Sequence, residues 1–250
     1  MSIYEMKKRL DILLTEKGLA KSRTSAAALI KEGSVTVNGS VVLKPSEPCV
    51  DTDDIAVSER SVLTKYVGRG GLKLETAIEE FGISPEGCVC LDIGASTGGF
   101  TDCMLQNGAK RVYAVDVGTS QLAEELRADS RVISLENLDI RLADESRIPE
   151  KAGFIAADVS FISLKQIMPA IPRFAAEKAV CALLIKPQFE LGRTKLGKSG
   201  VVKDPKLQKK AVDEVCAFAA QLGFTDIRTV PSRITGGDGN REFLMHCIIL

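Results

Sequence analysis

The sequence predicts an α/β protein: a mostly parallel sheet covered by helices on both faces, with one antiparallel edge hairpin, behind a small N-terminal α+β unit. Three observations carry this prediction. From residue 69 onward, short apolar runs alternate with segments of helical periodicity, the pattern of strands joined by crossover helices. The first of those runs leads into Gly94-Ala95-Ser96-Thr97-Gly98-Gly99, a strand-to-helix turn at the carboxyl end of a strand, where such folds bind ligands. The segment 1–59 has an apolar pattern of its own, centred on the hairpin dipeptide Asn38-Gly39. The expected division is 1–59, a polar linker 60–68, and a sheet domain 69–250.

In the N-terminal unit, Leu10, Leu13 and Leu14 form a stripe at helical spacing that Gly18 ends. Ser22 is placed to cap a second helix running through Ala26-Ala27-Ala28-Leu29-Ile30 to Gly33. Val35 and Val37 then lead through Asn38-Gly39 into Val41-Val42-Leu43, a hairpin, and a last strand lies near 54–57. This order of two short basic helices and a Val-Asn-Gly hairpin resembles the S4-type RNA-binding domain. The resemblance implies that basic residues of the two helices meet RNA phosphates, and Arg9, Lys21, Arg23 and Lys31 fall on the matching stretch. Contacts of that kind position a protein on RNA without reading its sequence.

In the sheet domain the expected strands are 88–93, 111–116, 132–135, 154–158 and 180–185, with helices near 100–106, 162–170 and 206–221. Two last strands, 225–230 and 242–250, are joined by a glycine-rich turn and make the antiparallel hairpin.

Composition excludes several function classes. The 250 residues hold 33 basic and 33 acidic side chains, yet residues 1–31 carry seven basic against three acidic and residues 186–210 carry eight against two. Two basic segments on a neutral chain suggest a polyanion touched at two places, or else two solvated helix faces. No window approaches the roughly 18 to 20 uncharged apolar residues that span a bilayer, and the N-terminus lacks a signal-peptide core. The seven cysteines include no CxxC pair, and Cys88, Cys90, Cys181 and Cys247 lie in apolar runs, which suits reduced thiols in the cytoplasm. A lone histidine rules out His-cluster metal sites, and His246, inside an apolar run, reads as a strand residue rather than a triad base.

The glycine turn admits two ligand classes. A dinucleotide fold wants GxGxxG, whereas this turn has no glycine two after Gly94 and carries Asp92 just before it. An acidic residue there suits a cofactor with a sulfonium and an ammonium group, S-adenosylmethionine. Asp116, at the end of the next strand, is placed to accept ribose hydroxyls; the plainer alternative makes Asp92 a helix cap and Asp116 a strand-end solubiliser. The candidate cofactor residues here are Asp92, Gly94, Ala95, Ser96, Gly98, Gly99, Phe100, Asp116 and Val117.

Four charged residues sit where a packed sheet would not ordinarily hold them: Lys73 after Arg69-Gly70-Gly71, Asp158 and Lys186 at strand ends, and Glu242 opening the last strand. With their surroundings (Arg-Gly-Gly-Leu-Lys-Leu at 69–74, Asp-Ile-Gly-Ala-Ser-Thr-Gly-Gly-Phe at 92–100, Asp-Val-Ser-Phe-Ile-Ser-Leu at 158–164, Ile-Lys-Pro-Gln-Phe-Glu at 185–190 and Gly-Asn-Arg-Glu-Phe at 239–243) they resemble the TlyA family. That family joins an S4-type domain to an FtsJ-like catalytic domain and has long been labelled hemolysin. The resemblance covers nearly the whole chain. It implies a Rossmann-like S-adenosylmethionine-dependent methyltransferase sheet and transfer to a ribose 2′-hydroxyl in ribosomal RNA, on cytidine. It further implies a catalytic tetrad of Lys73, Asp158, Lys186 and Glu242, with no metal required. The resemblance also implies cofactor contacts at Asp158 and, toward the adenine, at Asp139, where the family commonly has Asn-x-Arg after the third strand and this chain has Asp139-Ile140-Arg141. The 187–204 segment, rich in glycine and basic residues, offers Phe189 for stacking on a base and Arg193, Lys195 and Lys198, with Arg69, for the RNA backbone. The expected partner is ribosomal RNA or a ribosomal subunit, with no DNA and no membrane, and the expected state is a monomer. The rival readings are a non-catalytic RNA-binding or assembly factor, a membrane-active hemolysin, and a nicotinamide enzyme that the glycine spacing disfavours.

Overall fold

The structure, a computed structural model, describes residues 7–57, 65–192, 200–236 and 239–250, and the chain divides into the units Met1–Lys65 and Tyr66–Leu250. In the first unit Leu10, Leu13 and Leu14 turn one face of α1 (Leu10–Glu16) against Leu29 and Ile30 of α2 (Arg23–Glu32), all at most 1% exposed. Ser22 caps α2, its hydroxyl accepting from the Ser25 amide at 3.2 Å, and Gly33 ends it at φ 80°. Strands β2 (Val35–Val37), β3 (Ser40–Val41) and β5 (Ile55–Val57) form a three-stranded sheet in the order β3-β2-β5. Asn38 (φ 50°) and Gly39 (φ 78°) both take the left-handed turn that matches strand twist. A two-residue pairing of β1 (Lys8–Arg9) with β4 (Pro48–Cys49) adds a short sheet with no signal in the sequence pattern.

The second unit is built on a seven-stranded sheet. Its strands are β6 (Val89–Ile93), β7 (Arg111–Val115), β8 (Val132–Leu135), β9 (Ala152–Ala157), β10 (Ala175–Ile185), β11 (Thr225–Pro231) and β12 (Phe243–Ile249), in the order β11-β12-β10-β9-β6-β7-β8. From β8 to β10 every neighbour is parallel; β12 alone runs against the sheet, inserted between β10 and β11 and antiparallel to both. The central strands are continuous apolar runs because both faces are covered: Leu91, Phe154, Ile155, Cys181 and Leu183 have no exposed surface. The main covering helices are α3 (Gly70–Phe81), α4 (Gly99–Gln106) and α8 (Pro205–Gln221). The helix expected over 162–170 becomes α6 (Leu164–Ile167) followed by a 3-10 turn, Met168–Arg173. Pro169 and Pro172 explain the change, since neither can donate an α-helical hydrogen bond.

The chain passes from β6 outward to β7 and β8, then returns to lay β9 on the other side of β6. That reversal opens a crevice at the carboxyl ends of β6 and β9, where the turn after Ile93 and the loop after Ala157 face each other. All seven cysteines are free; Cys88 and Cys216 are only partly buried, unlike the other five. Among the described residues no helix is long and apolar enough to cross a membrane.

Candidate active site

Gly94 follows β6 at φ 85°, and a Cβ there would stand 2.6 Å from the Asp158 carbonyl oxygen, so glycine is what lets the turn close on the β9 loop. At Gly99 a Cβ would stand 2.9 Å from the Gly71 amide, so the first turns of α3 and α4 meet backbone to backbone. These glycines serve contacts within the chain, a reason the sequence reading did not give. Gly98 faces Leu122 and Leu126 rather than a cavity.

Three carboxylates surround this turn. Asp92 is fully buried; its Oδ2 accepts the Thr101 hydroxyl at 2.6 Å, while Oδ1 has no donor among the described residues. Burial pushes its pKa up to about 7, against the Thr101 hydrogen bond and with the help of Asp158 and Asp116. Asp116 receives the Ser96 amide on one oxygen at 2.8 Å and the Gly118 amide on the other at 2.7 Å, joining the two loops. A cavity of about 550 Å³, here the turn-side cavity, is lined by Gly94, Ser96, Asp116, Val117, Asp139 and Asp158, among others. Ala95, Gly99 and Phe100 line a smaller one of about 170 Å³ beside it. Asp139 is held by Arg141, 2.6 Å away, whose guanidinium keeps it below the usual carboxylate range.

The four charged residues predicted from the sequence come together at one end of the sheet. Lys73 stands in the first turns of α3, Asp158 directly follows β9, Lys186 directly follows β10, and Glu242 directly precedes β12. Lys73 Nζ lies 2.7 Å from Glu242 Oε2 and 3.7 Å from Asp158 Oδ2. Lys186 Nζ lies 2.5 Å from Asp158 Oδ1 and donates to Ser160 Oγ at 2.7 Å. Lys73 and Lys186 are each 8% exposed and Glu242 2%, so the two cations stand in a low-dielectric site where two carboxylates offset them. Both ammonium groups face a second cavity of about 720 Å³, the lysine-side cavity, lined also by Ser160, Phe161, Gln188 and Phe189.

Ser160 and Phe161 border both large cavities and were absent from the sequence-derived site. Their signal lay inside the 158–164 motif, but only tertiary placement separates residues that face a cavity from those that pack. Glu136 was missed as well: it follows β8 and accepts the amides of Ser120, Gln121 and Leu122, fixing the loop that borders the turn-side cavity. Asn240, fully buried two residues before Glu242, accepts the Val202 amide at 2.8 Å and donates to the Gly200 carbonyl. His246 lies in β12 with its Nε2 3.1 Å from Asp226, and burial lowers its pKa.

Among the residues expected at RNA, Arg9 and Arg23 converge on Asp11, which is 4% exposed: Arg9 donates to both carboxylate oxygens at 2.9 Å and Arg23 to one at 3.4 Å. Lys21 and Lys31 are exposed. Arg69 is exposed and donates to the Thr235 carbonyl. Phe189 is half-buried, 5.3 Å from Phe161 between ring centroids. Arg193, Lys195 and Lys198 lie outside the described residues, as does most of the expected linker.

Residues 66–247 match the family model for the FtsJ-like methyltransferase, and residues 8–55 match that of the S4 domain. Over 241 residues the chain is 46% identical to YqxC of Bacillus subtilis, a candidate rRNA methyltransferase, spanning 96% of this chain and 85% of that protein. It is 41% identical over 240 residues to the 16S/23S rRNA (cytidine-2′-O)-methyltransferase TlyA of Mycobacterium tuberculosis, spanning 95% of this chain and 88% of that one. A solved structure of a candidate hemolysin from Streptococcus thermophilus is 42% identical, with a TM-score of 0.76 over 98% of this chain and 89% of that chain.

Proposed function

This chain belongs to the FtsJ-like methyltransferase family, and from that premise we propose that it transfers a methyl group from S-adenosylmethionine to a cytidine ribose 2′-hydroxyl in ribosomal RNA. The observation that carries the reading is the cluster of Lys73, Asp158, Lys186 and Glu242 beside two adjoining cavities.

The turn-side cavity suits the cofactor. Asp92 is buried, partly protonated and short of a donor at Oδ1, so a cation near the turn would favour its ionised form. Asp116 would take the ribose hydroxyls with the lone pairs that Ser96 and Gly118 leave, and Val117 and Asp139 would border the adenine end. Bound there, S-adenosylmethionine supplies an electrophilic methyl group on a positively charged sulfur.

The protein's own task is to align a hydroxyl with that site and to take its proton. Lys186 Nζ, on the lining of the lysine-side cavity, is the group that would take that proton. Asp158 and Ser160 fix where that nitrogen stands. Glu242 holds Lys73 against the other oxygen of Asp158, so the second cation aligns the carboxylate and faces the RNA backbone. Phe161, 92% exposed at the border of the cavities, and Phe189 beside it form an aromatic wall for the nucleobase. The S4 domain supplies affinity for phosphates through Arg9, Lys21, Arg23 and Lys31.

The test is a map of ribose methylation in ribosomal RNA from cells with and without the gene, and with a Lys186→Ala copy. We expect one or more cytidines to lose the 2′-O-methyl group in its absence and to stay unmethylated with the Lys186→Ala copy. An identical map in all three strains would overturn the reading.

A further inference from the structure

The segment after β10 and the loop after β9 are tied together at two points. At one end Lys186 meets Asp158 and Ser160, as described. At the other end stands Glu190, the last residue of the four-residue helix α7 (Pro187–Glu190). Its Oε2 accepts the Ser163 hydroxyl at 2.6 Å and its Oε1 accepts the Leu164 amide at 2.7 Å. Ser163 in turn caps α6, its hydroxyl accepting from the Lys165 amide at 3.2 Å.

Between the two ties lie the rings of Phe161 and Phe189, 5.3 Å apart and tilted by 50°. Phe161 holds φ at 64° and is 92% exposed. A bulky side chain on left-handed backbone is strained, and a ring this exposed gains little from burial. Neither local preference nor the hydrophobic effect keeps it there, so the ties on either side of it must.

Resting on the methyltransferase reading above, we infer that Glu190 is a positioning residue for the nucleobase: its two-point grip on Ser163 and Leu164 holds Phe161 against Phe189 as one wall of the lysine-side cavity. Phe161 borders the turn-side cavity as well, but the groups assigned to the cofactor there are held independently of the grip: Asp92 by the Thr101 hydroxyl and Asp116 by the Ser96 and Gly118 amides, so the grip acts mainly on the base. A base held by a fixed wall brings its own ribose hydroxyl to Lys186 in one orientation, whereas a loose wall lets the nucleotide bind in many.

The chain has no tryptophan, so Phe161→Trp in the full-length protein gives a single reporter on the wall. Adding Glu190→Ala should raise acrylamide quenching of that indole at least twofold. In the chain with native Phe161, Glu190→Ala should lower kcat on ribosomal RNA at least tenfold. The KM for RNA and the Kd for S-adenosylmethionine should stay within threefold, because phosphate contacts and the carboxylate turn are untouched. Glu190→Gln keeps one acceptor oxygen and should fall between Glu190→Ala and native in both readouts; if Glu190→Ala does not fold, a Glu190→Gln protein indistinguishable from native in both quenching and kcat overturns the grip. In Glu190→Ala, unchanged quenching, or kcat within twofold of native, overturns it. So does a loss of kcat matched by an equal loss of cofactor affinity in both variants, which marks a general structural role. If the native protein methylates no ribosomal RNA, the methyltransferase reading falls while the quenching comparison still decides the grip.

Discussion

Asp92 is the residue in which burial and charge are most at odds. Its folded pKa, about 7, lies above the ordinary carboxylate value, so the folded state binds the proton more tightly than the unfolded chain does. The stability this contributes is complete below the ordinary carboxylate range and is lost as pH rises through about 7. Asp92→Asn should therefore flatten the fall in Tm between about pH 5 and pH 8, measured by scanning calorimetry. A cationic cofactor favours the ionised form, so affinity for S-adenosylmethionine should rise with pH across the same window, with proton release seen as a buffer-dependent binding enthalpy. The asparagine variant should lose both effects; a pH-independent affinity in the native protein would remove Asp92 from the cofactor site. Asp116→Ala should weaken cofactor binding by roughly 1 to 3 kcal/mol, since it strips an acceptor from the site and frees the Ser96 and Gly118 amides together. At Lys186 the substitution to watch is arginine. Lys186→Arg keeps the charge but cannot give up its proton, so it should fail as Lys186→Ala does, with cofactor affinity within about threefold of native. Near-normal turnover by Lys186→Arg would leave the lysine an orienting cation and no base.

At the scale of elements, the central strands carry stability and the connections after them carry the site. Phe154 in β9 has no exposed surface and pairs in register with Cys90 and Val180. Phe154→Ala should cost about 3 to 5 kcal/mol in denaturant unfolding, the usual loss for a buried aromatic ring. The loop after β7 behaves differently, because a single carboxylate organises it. Glu136 gathers three amides from Ser120 to Leu122, and these hold its pKa below the usual range. That contribution is present above the ordinary carboxylate range and is lost as pH falls through the lowered value. Glu136→Gln should reduce cofactor affinity by about threefold to tenfold with little change in Tm, because it loosens a cavity border and leaves the core intact. Isothermal calorimetry beside thermal melts separates the two quantities. Elements with strong periodicity or capping were legible before folding: α2 with Ser22, the Asn38-Gly39 turn and the five parallel strands. The β1–β4 pairing was not, since two residues have no period, and the proline-broken segment at 164–173 read as one helix because its apolar spacing survives the break.

For the whole molecule the question is how two units share one reaction. Each has its own core, Leu10, Leu13, Leu14, Leu29 and Ile30 in one and the faces of the seven-stranded sheet in the other. Removing residues 1–65 should therefore leave a folded domain that binds S-adenosylmethionine with unchanged affinity and methylates ribosomal RNA poorly. The residual activity should depend less steeply on salt, because each lost phosphate contact no longer releases counterions. Full activity with the full-length salt slope would mean that the N-terminal unit does not bind the substrate. Asp11 adds a constraint there. It offsets one of the two positive charges of Arg9 and Arg23 while fixing both, and those hydrogen bonds, Arg9's first, keep its pKa low despite burial.

What the sequence determined by itself is whatever its local chemistry encodes at short range. Alternating apolar runs specify a parallel sheet, a glycine turn specifies a tight strand-to-helix passage, and the order of motifs around Lys73, Asp158, Lys186 and Glu242 specifies the family. Tertiary structure decided how those pieces are used. Lys73 and Glu242 lie 169 positions apart (242 − 73) and become an ion pair of 2.7 Å only because β12 folds back between β10 and β11 while α3 lies over the same end of the sheet. The partners of Asp92, the grip of Glu190 on Ser163 and the exposure of Phe161 were equally invisible beforehand. A side chain's charge and reach are written in one residue, but its burial and its partners depend on which strands become neighbours, and that is settled by the packing of the whole sheet.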